Sequence, residues 1–293
     1  MTFSDFETTT YGKWILAGEH AVIRGHSALV FPILEKYFHL SYQNSTSSLS
    51  ADYSGDSGAD MHLLFWSVLE QGMQILGRSL NALNGHFKLN SNIPVGVGMG
   101  ASAALCVAMA RWFAAQNMIN ELAISTFARE LENLFHGKSS GLDIAGVSAE
   151  TGIFFHEGVL SPVQRSWDPH WCLSSCGQIG ITSHCIQQVQ IIWDNNPSVG
   201  AALDQKMQFC VSQAKDALEM NSDQSLPTLA KAMNEACACF EAWGLVSDSL
   251  RQHMLKLKEA GAIAVKPTGS GGGGNVISLW ESTENIPPGL IHL

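Results

Sequence analysis

The stretch Gly96-Val97-Gly98-Met99-Gly100-Ala101-Ser102, with Pro94 just ahead and Ala103 and Ala104 behind it, decides how the rest of the chain is read. Three glycines at alternate positions let backbone N–H groups turn inward with no Cβ in the way. The apolar, Ala-rich run from Ser102 to Met118 predicts a buried helix. A helix that starts near Ala101 leaves its first N–H groups without partners of its own and adds the positive end of its dipole. Loop and helix start together form a cradle for an anion such as a phosphate. The Ser102 hydroxyl can serve a phosphate oxygen or Mg2+. The loop lacks the GK[ST] of a Walker motif, and its GxGxG spacing is not the GxGxxG of a dinucleotide fold. The competing reading is a tight turn packed on an Ala-rich helix.

Working outward, three further stretches bear on that choice. Lys266-Pro267-Thr268-Gly269-Ser270-Gly271-Gly272-Gly273-Gly274 lies between two apolar segments, Ala262 to Val265 and Val276 to Trp280. Four consecutive glycines are costly to order. Flanking strands fit a flexible linker poorly and fit a close backbone approach, to a ligand or another loop, well. His136-Gly137-Lys138-Ser139-Ser140-Gly141-Leu142-Asp143 places a carboxylate after a glycine-bearing turn, with Glu132 eleven residues upstream on a predicted helix. Phosphoryl transfer needs oxygen ligands for Mg2+ and a group that handles the acceptor hydroxyl, and two carboxylates can divide those tasks. The plainer readings are a helix cap for Asp143 and a solvated helix face for Glu132. Finally, Gly12-Lys13-Trp14-Ile15-Leu16-Ala17-Gly18-Glu19-His20-Ala21 sets a lysine before an apolar strand and an acid and a histidine in the turn after it. Lys13 can snorkel to the surface, or stabilise charge on an acceptor hydroxyl.

Bulk properties limit the alternatives. The chain has 293 residues, 46% of them hydrophobic, enough for a sizeable core and for two domains. The net charge is -10 with no basic cluster, which argues against nucleic-acid binding. An anion must then be held locally, by backbone N–H groups, one or two lysines and a metal ion. Seven cysteines without a disulfide pattern fit a reducing cytoplasm. The polar, acidic opening is not a signal peptide, and no run reaches the length of a membrane span.

The periodicity predicts an α+β chain in two halves. Strands are expected over Lys13 to Leu16, Ala28 to Leu34, Tyr37 to Tyr42, Phe87 to Leu89, Ile153 to Phe155, Gln178 to Thr182 and Val189 to Trp193. Helices are expected over Met61 to Leu80, Ser102 to Met118, Ala123 to Phe135 with Gly137 as its stop, Ala201 to Met220, Leu226 to Trp243 and Asp248 to Ala260. Asp248 is the expected cap of the last helix and Gly261 its stop. Ser45 to Asp60, rich in Ser, Gly and Asp, reads as an exposed loop.

These motifs, in this order, resemble the superfamily of galactokinase, homoserine kinase, mevalonate kinase and phosphomevalonate kinase. Within it, Gly12 to Leu29, the HGKSSGLD segment and the C-terminal KPTGSGGGG are most similar to mevalonate kinases. The resemblance implies an N-terminal ATP-binding domain like ribosomal protein S5 domain 2 over residues 1–166, and a ferredoxin-like domain over 167–293. It implies Asp143 as catalytic base and Lys13 as the lysine that activates the acceptor hydroxyl. Pro94, Gly96, Val97, Gly98, Met99, Gly100, Ala101, Ser102 and Ala103 would be the ATP loop, and Ser102 and Glu132 the Mg2+ ligands. Lys13, Glu19, His20, Asp143 and Gly271 would meet the substrate. The implied reaction moves the γ-phosphoryl group of ATP to the primary hydroxyl of mevalonate or a similar alcohol. Homodimers occur in the family.

The chain also departs from the family pattern. Ala101 replaces the first Ser of the usual GSS, while Ser102 keeps a hydroxyl. Ser139 stands where Pro is usual, and Ile144 where Asn is. Ile181-Thr182-Ser183-His184-Cys185 lacks the Lys and Arg usual in that loop. Two alternatives therefore stand beside mevalonate: another kinase of the superfamily, acting on phosphomevalonate or a sugar, and a non-catalytic metabolite-binding member. A phosphorylated acceptor would need more basic residues than this chain offers.

Overall fold

Strand β1 (Phe6–Ala17) ends where Gly18 takes φ +107° and the chain enters a short 3-10 turn at Ala21–Arg24. A Cβ on Gly18 would fall 2.4 Å from Ala28, so the turn requires glycine for space as well as for its dihedral. The computed structural model describes residues 4–136 and 139–293, so the expected stop at Gly137 lies outside it. The chain divides into two compact units that alternate along the sequence. One comprises Met1–Lys13, Pro32–Val95 and Met99–Glu150; the other comprises Trp14–Phe31, Gly96–Gly98 and Thr151–Leu293. The expected boundary at 166/167 falls inside the second of these.

In the first unit, β2 (Ala28–Ser48) pairs antiparallel with β4 (Asn84–Ser91), which pairs parallel with β3 (Ser50–Ser54). Strand β1 also pairs with β2. Helices α1 (Gly58–Ile75), α2 (Ala101–Ala115), α3 (Ile124–His136) and α4 (Leu142–Ser148) complete it. Phe65, Phe87, Trp112 and Phe113 form a chain of edge-on rings in its core. Helix α2 is buried on nearly every side, as its Ala-rich composition predicts.

In the second unit, Ala28 to Val30 of β2 pairs with β5 (Ile153–His156), and β5 with β6 (Val159–Pro162). A separate antiparallel sheet has the order β10-β7-β9-β8, with β7 (His170–Ser175), β8 (Ala264–Thr268), β9 (Asn275–Trp280) and β10 (Ile291–His292). Four helices belong to this unit: α5 (Thr182–Asn195), α6 (Pro197–Glu219), α7 (Ser225–Ala242) and α8 (Asp248–Glu259). Cys172, Cys237, Leu250, Met254, Val265, Val276 and Trp280 form one of its core clusters. All seven cysteines are free thiols. Among the described residues no helix is long and apolar enough to cross a membrane.

Four expectations are corrected. Ser45 to Asp60 is not a loop throughout, because β2 continues to Ser48 and β3 follows. Its exposed polar side chains hid a strand whose backbone pairs with β4. Gln178 to Ile181 is irregular with Thr182 opening α5, and Val189 to Trp193 lies in α5 rather than in a strand. There Cys185 and Val189, one helical turn apart, are the buried residues, so packing overrides the β-branched preference. The strand of that region is β7, which lies earlier. The cap of α8 is Ser247, whose side chain accepts from the Leu250 N–H, and Asp248 is the first helical residue.

Candidate active site

In the first unit the sequence motifs meet around helix α2. Lys13 is 2% exposed near the end of the unit's part of β1, and its Nζ lies 2.7 Å from Asp143 Oδ1. Asp143 sits in the first turn of α4, behind an N-cap at Gly141 with φ +86°. Its side chain is 32% exposed, so one partner is sealed and the other can be reached. The Lys13 N–H donates to Met99 O at 2.9 Å, which fixes the loop against the strand. Gly100 caps α2 at φ +82°, and a Cβ there would fall 2.9 Å from both Lys13 Cγ and Val147 Cγ1. This glycine is required because the stem of Lys13 packs on it.

Ser102, half-buried in the first turn of α2, and Cys106 one turn on share a face of that helix. Burial pushes the Cys106 thiol well up, and the nearby Glu132 carboxylate of α3 pushes it further. Glu132 is 2% exposed. Its Oε2 accepts a hydrogen bond from the Ser139 hydroxyl, while its Oε1 is buried with no hydrogen-bond partner among the described residues. Burial, reinforced by the charge of Asp143, pushes Glu132 up to about 8, against the opposing pull of Ser139, Lys13 and Arg129.

That donor set suits a hard divalent cation. The open arm of Glu132 and the hydroxyl of Ser102 are oxygens, and Asp143 is already engaged by Lys13. No group of three or more His, Cys, Asp and Glu residues occurs among the described residues. Mg2+ is commonly held by one or two carboxylates, with water and substrate phosphates completing its shell, and the side chains present fit that pattern.

In the second unit, the Gly96-Val97-Gly98 part of the loop has both glycines at positive φ. A Cβ on Gly96 would meet nothing within 4 Å, so its side faces open space, as a backbone cradle for phosphate does. Val97 O accepts from Asn275 Nδ2 at 2.8 Å, which anchors this segment to the start of β9. Pro94 and Val95, which lead into it, are half-buried; Met99, Ala101 and Ala103, which follow, are buried in the first unit.

The second unit also joins the N-terminal motif to the glycine run. Lys266 and Thr268, two apart on β8, both reach the end of β1. Thr268 Oγ1 accepts from the Ile15 N–H and donates to Ile15 O, each at 2.9 Å. Lys266 is fully buried, with Nζ 2.6 Å from Glu19 Oε1, 3.4 Å from Ile15 O and 5.2 Å from the Phe240 ring centre. His20 holds φ +61°, an unusual conformation for a non-glycine residue. Its Nε2 donates to Ser270 O at 2.8 Å, which leaves Nδ1 as an acceptor. Burial pulls the imidazole down to about 4, so it is neutral at physiological pH. Gly271 packs where a Cβ would fall 3.0 Å from Leu245 and Phe240, and its carbonyl accepts from the Cys185 thiol. Arg24 Nε and a terminal guanidinium nitrogen bind the two oxygens of buried Asp204 at 2.5 and 2.8 Å.

Sequence reasoning quoted Lys266, Thr268 and Ser139 without giving them a role. The spacing of Lys266 and Thr268, which puts both on one face of a strand, was the available signal. Nothing local marked Asp204 or Asn275.

Residues 64–150 match the GHMP kinases N terminal domain. The chain is 28% identical to a mevalonate kinase of Thermococcus onnurineus, over 91% of this chain and 86% of that one. Its fold is similar to that of L. major mevalonate kinase in complex with R-mevalonate, with a TM-score of 0.79 and 22% identity over 97% of this chain and 91% of that one. A Streptococcus pneumoniae phosphomevalonate kinase in complex with phosphomevalonate and AMPPNP has a TM-score of 0.72 and 17% identity, over 96% of this chain and 93% of that one. Residues 64–150 thus resemble a GHMP kinase N-terminal domain, and the α+β fold of the chain is similar to that of the solved mevalonate and phosphomevalonate kinases. In sequence it is similar to mevalonate kinases.

Proposed function

We propose that this chain transfers the γ-phosphoryl group of ATP to the primary hydroxyl of mevalonate. The broader class, an ATP-dependent kinase acting on an alcohol, is what its mevalonate kinase relatives indicate. The observation that carries the reading is the 2.7 Å contact between Lys13 Nζ and Asp143 Oδ1. It pairs a sealed cation with a carboxylate that an alcohol can reach.

Asp143 takes the proton of the acceptor hydroxyl, and Lys13 compensates the negative charge that grows on that oxygen. The oxygen forms its bond to the γ-phosphorus as the β–γ bridging P–O bond breaks and ADP leaves. Backbone N–H groups of Gly96 to Ala103 and the start of α2 hold the phosphates. Glu132 and Ser102 would hold Mg2+, which supplies charge screening across the phosphate oxygens. Positioning and electrostatics provide most of the rate in such a transfer. Recognition of the acceptor is assigned to His20, held neutral with one nitrogen committed to Ser270, together with Glu19 and Gly271.

Mevalonate is favoured over its phosphorylated form because the first turn of α5, Thr182 to Cys185, contains no Lys or Arg to meet a second phosphate. A panel of mevalonate, phosphomevalonate and galactose, each with ATP and Mg2+ and the purified protein, tests the assignment. Phosphate transfer to mevalonate alone is the expected result. Transfer only to another alcohol keeps the chemistry and overturns the acceptor.

A further inference from the structure

Ser139 is the residue around which the segment before α4 is fastened to α3. Its N–H donates to Asn133 Oδ1 at 2.7 Å, and its carbonyl accepts from Arg129 Nε at 2.8 Å. Its hydroxyl does two more things: it donates to Glu132 Oε2 and accepts from the Gly141 N–H at 3.0 Å. Three positions on one side of α3, at 129, 132 and 133, therefore converge on a single buried serine. Gly141, its fourth partner, is the N-cap of α4, whose first turn carries Asp143.

The hydroxyl is thus a bridge. On one side is a carboxylate with one oxygen engaged and the other open; on the other is the cap of the helix that carries Asp143. A buried carboxylate with neither oxygen held could turn about its terminal torsion, which is broad and roughly two-fold. Engaging Oε2 removes that freedom and leaves Oε1 as the arm aimed elsewhere. A proline in place of Ser139 would have neither the N–H for Asn133 nor a hydroxyl for Glu132 and Gly141.

We propose that Ser139 is a positioning residue: its hydroxyl holds Glu132 so that Oε1 is presented to the divalent cation that accompanies ATP. The proposal rests on the reading of Glu132 as a metal ligand. Groups that orient a ligating carboxylate are commonly worth ten- to a hundred-fold in metal affinity. Ser139→Ala removes the hydroxyl while keeping the N–H and carbonyl tethers to Asn133 and Arg129, so it isolates the bridge from the anchoring of the segment.

The test is Mn2+ binding to the full chain, read by electron paramagnetic resonance with a non-hydrolysable ATP analogue present, for wild type, Ser139→Ala, Ser139→Thr and Glu132→Gln. Nucleotide binding without metal and the melting temperature are measured alongside. Ser139→Ala is expected to weaken Mn2+ binding about ten-fold, with metal-free nucleotide affinity unchanged. Ser139→Thr, which keeps the hydroxyl, is expected to bind within about two-fold of wild type on the same reasoning. Wild-type Mn2+ affinity in Ser139→Ala, with a clear loss in Glu132→Gln, overturns the role of Ser139 alone. Unchanged affinity in Glu132→Gln overturns the ligand assignment beneath it. Should Ser139→Ala not fold, Ser139→Thr still decides, since a loss there as large as in Glu132→Gln contradicts a hydroxyl-based role.

Discussion

Lys266 Nζ stands 2.6 Å from Glu19 Oε1 with both side chains buried, so the glycine-run motif and the N-terminal motif of the second unit are joined by an ion pair out of water. Desolvating two charges is expensive, and such a pair need not exceed an apolar alternative in stability. Breaking one half is another matter. Lys266→Met should cost about 3–5 kcal/mol, because it removes the charge that faces the buried Glu19 carboxylate. The double variant Lys266→Met/Glu19→Leu should recover most of that loss in urea denaturation. Equal instability of the single and double variants would mean that the packing around Phe240, and not the charge pair, is what the lysine serves.

His20 gives the stability a pH dependence of definite sign. Its folded value, pulled down to about 4 chiefly by burial, lies below its ordinary 6.5. The nearby Arg24 lowers it further, while Asp204 and the Ser270 hydrogen bond raise it. Between those values the unfolded chain binds more protons than the folded one, so stability is present above pH 6.5 and is lost as pH falls toward 4. The full effect is about 3 kcal/mol at most. Denaturation measured across that window should show this slope, and His20→Gln should flatten it.

The two ends of the glycine loop should respond differently to a methyl group. Gly96→Ala meets open space and pays only for its φ of +82°, roughly 1–2 kcal/mol. Its methyl would stand in the phosphate cradle and raise the KM for ATP. Gly100→Ala pays the same strain and also strikes Lys13 and Val147. It should melt lower than Gly96→Ala and lose kcat, because the stem of Lys13 is displaced. Thermal melting and steady-state kinetics separate the two.

Much of this was legible locally. The break of β1 at Gly18, the buried α2 behind the glycine loop and the strands around the C-terminal glycine run follow from dihedral needs and periodicity, which act over a few residues. Lys13, Ser102, Glu132 and Asp143 were legible as types of group at suggestive spacings. What failed depends on partners far away in sequence. Ser50 to Ser54 is a strand because β4 offers it a backbone edge, and no apolar alternation announces that. Val189 to Trp193 looks like a strand until Cys185 and Val189 are seen to share a buried helix face. The bridge from Ser139 to Glu132 and the pair of Lys266 with Glu19, 247 positions apart, exist only once the chain has folded. The interleaved units were hidden for the same reason: β1 and β2 each supply residues to both.

Lys13 and Asp143 should prove unequal when removed. Lys13→Met removes the charge compensation and leaves the Asp143 carboxylate in place, so kcat should fall yet stay above that of Asp143→Asn. Steady-state kinetics of the two variants side by side is the measurement. A wild-type kcat in Lys13→Met would take the lysine out of the reaction.

The central claim is tested most directly by single-turnover transfer from ATP to mevalonate with Mg2+, comparing wild type with Asp143→Asn. The account predicts one ADP and one phosphorylated mevalonate per active site in the wild type. It predicts a loss of at least about a hundred-fold in the variant, with its melting temperature preserved. Transfer by Asp143→Asn at the wild-type rate, or no phosphorylated mevalonate from the wild type, would contradict it.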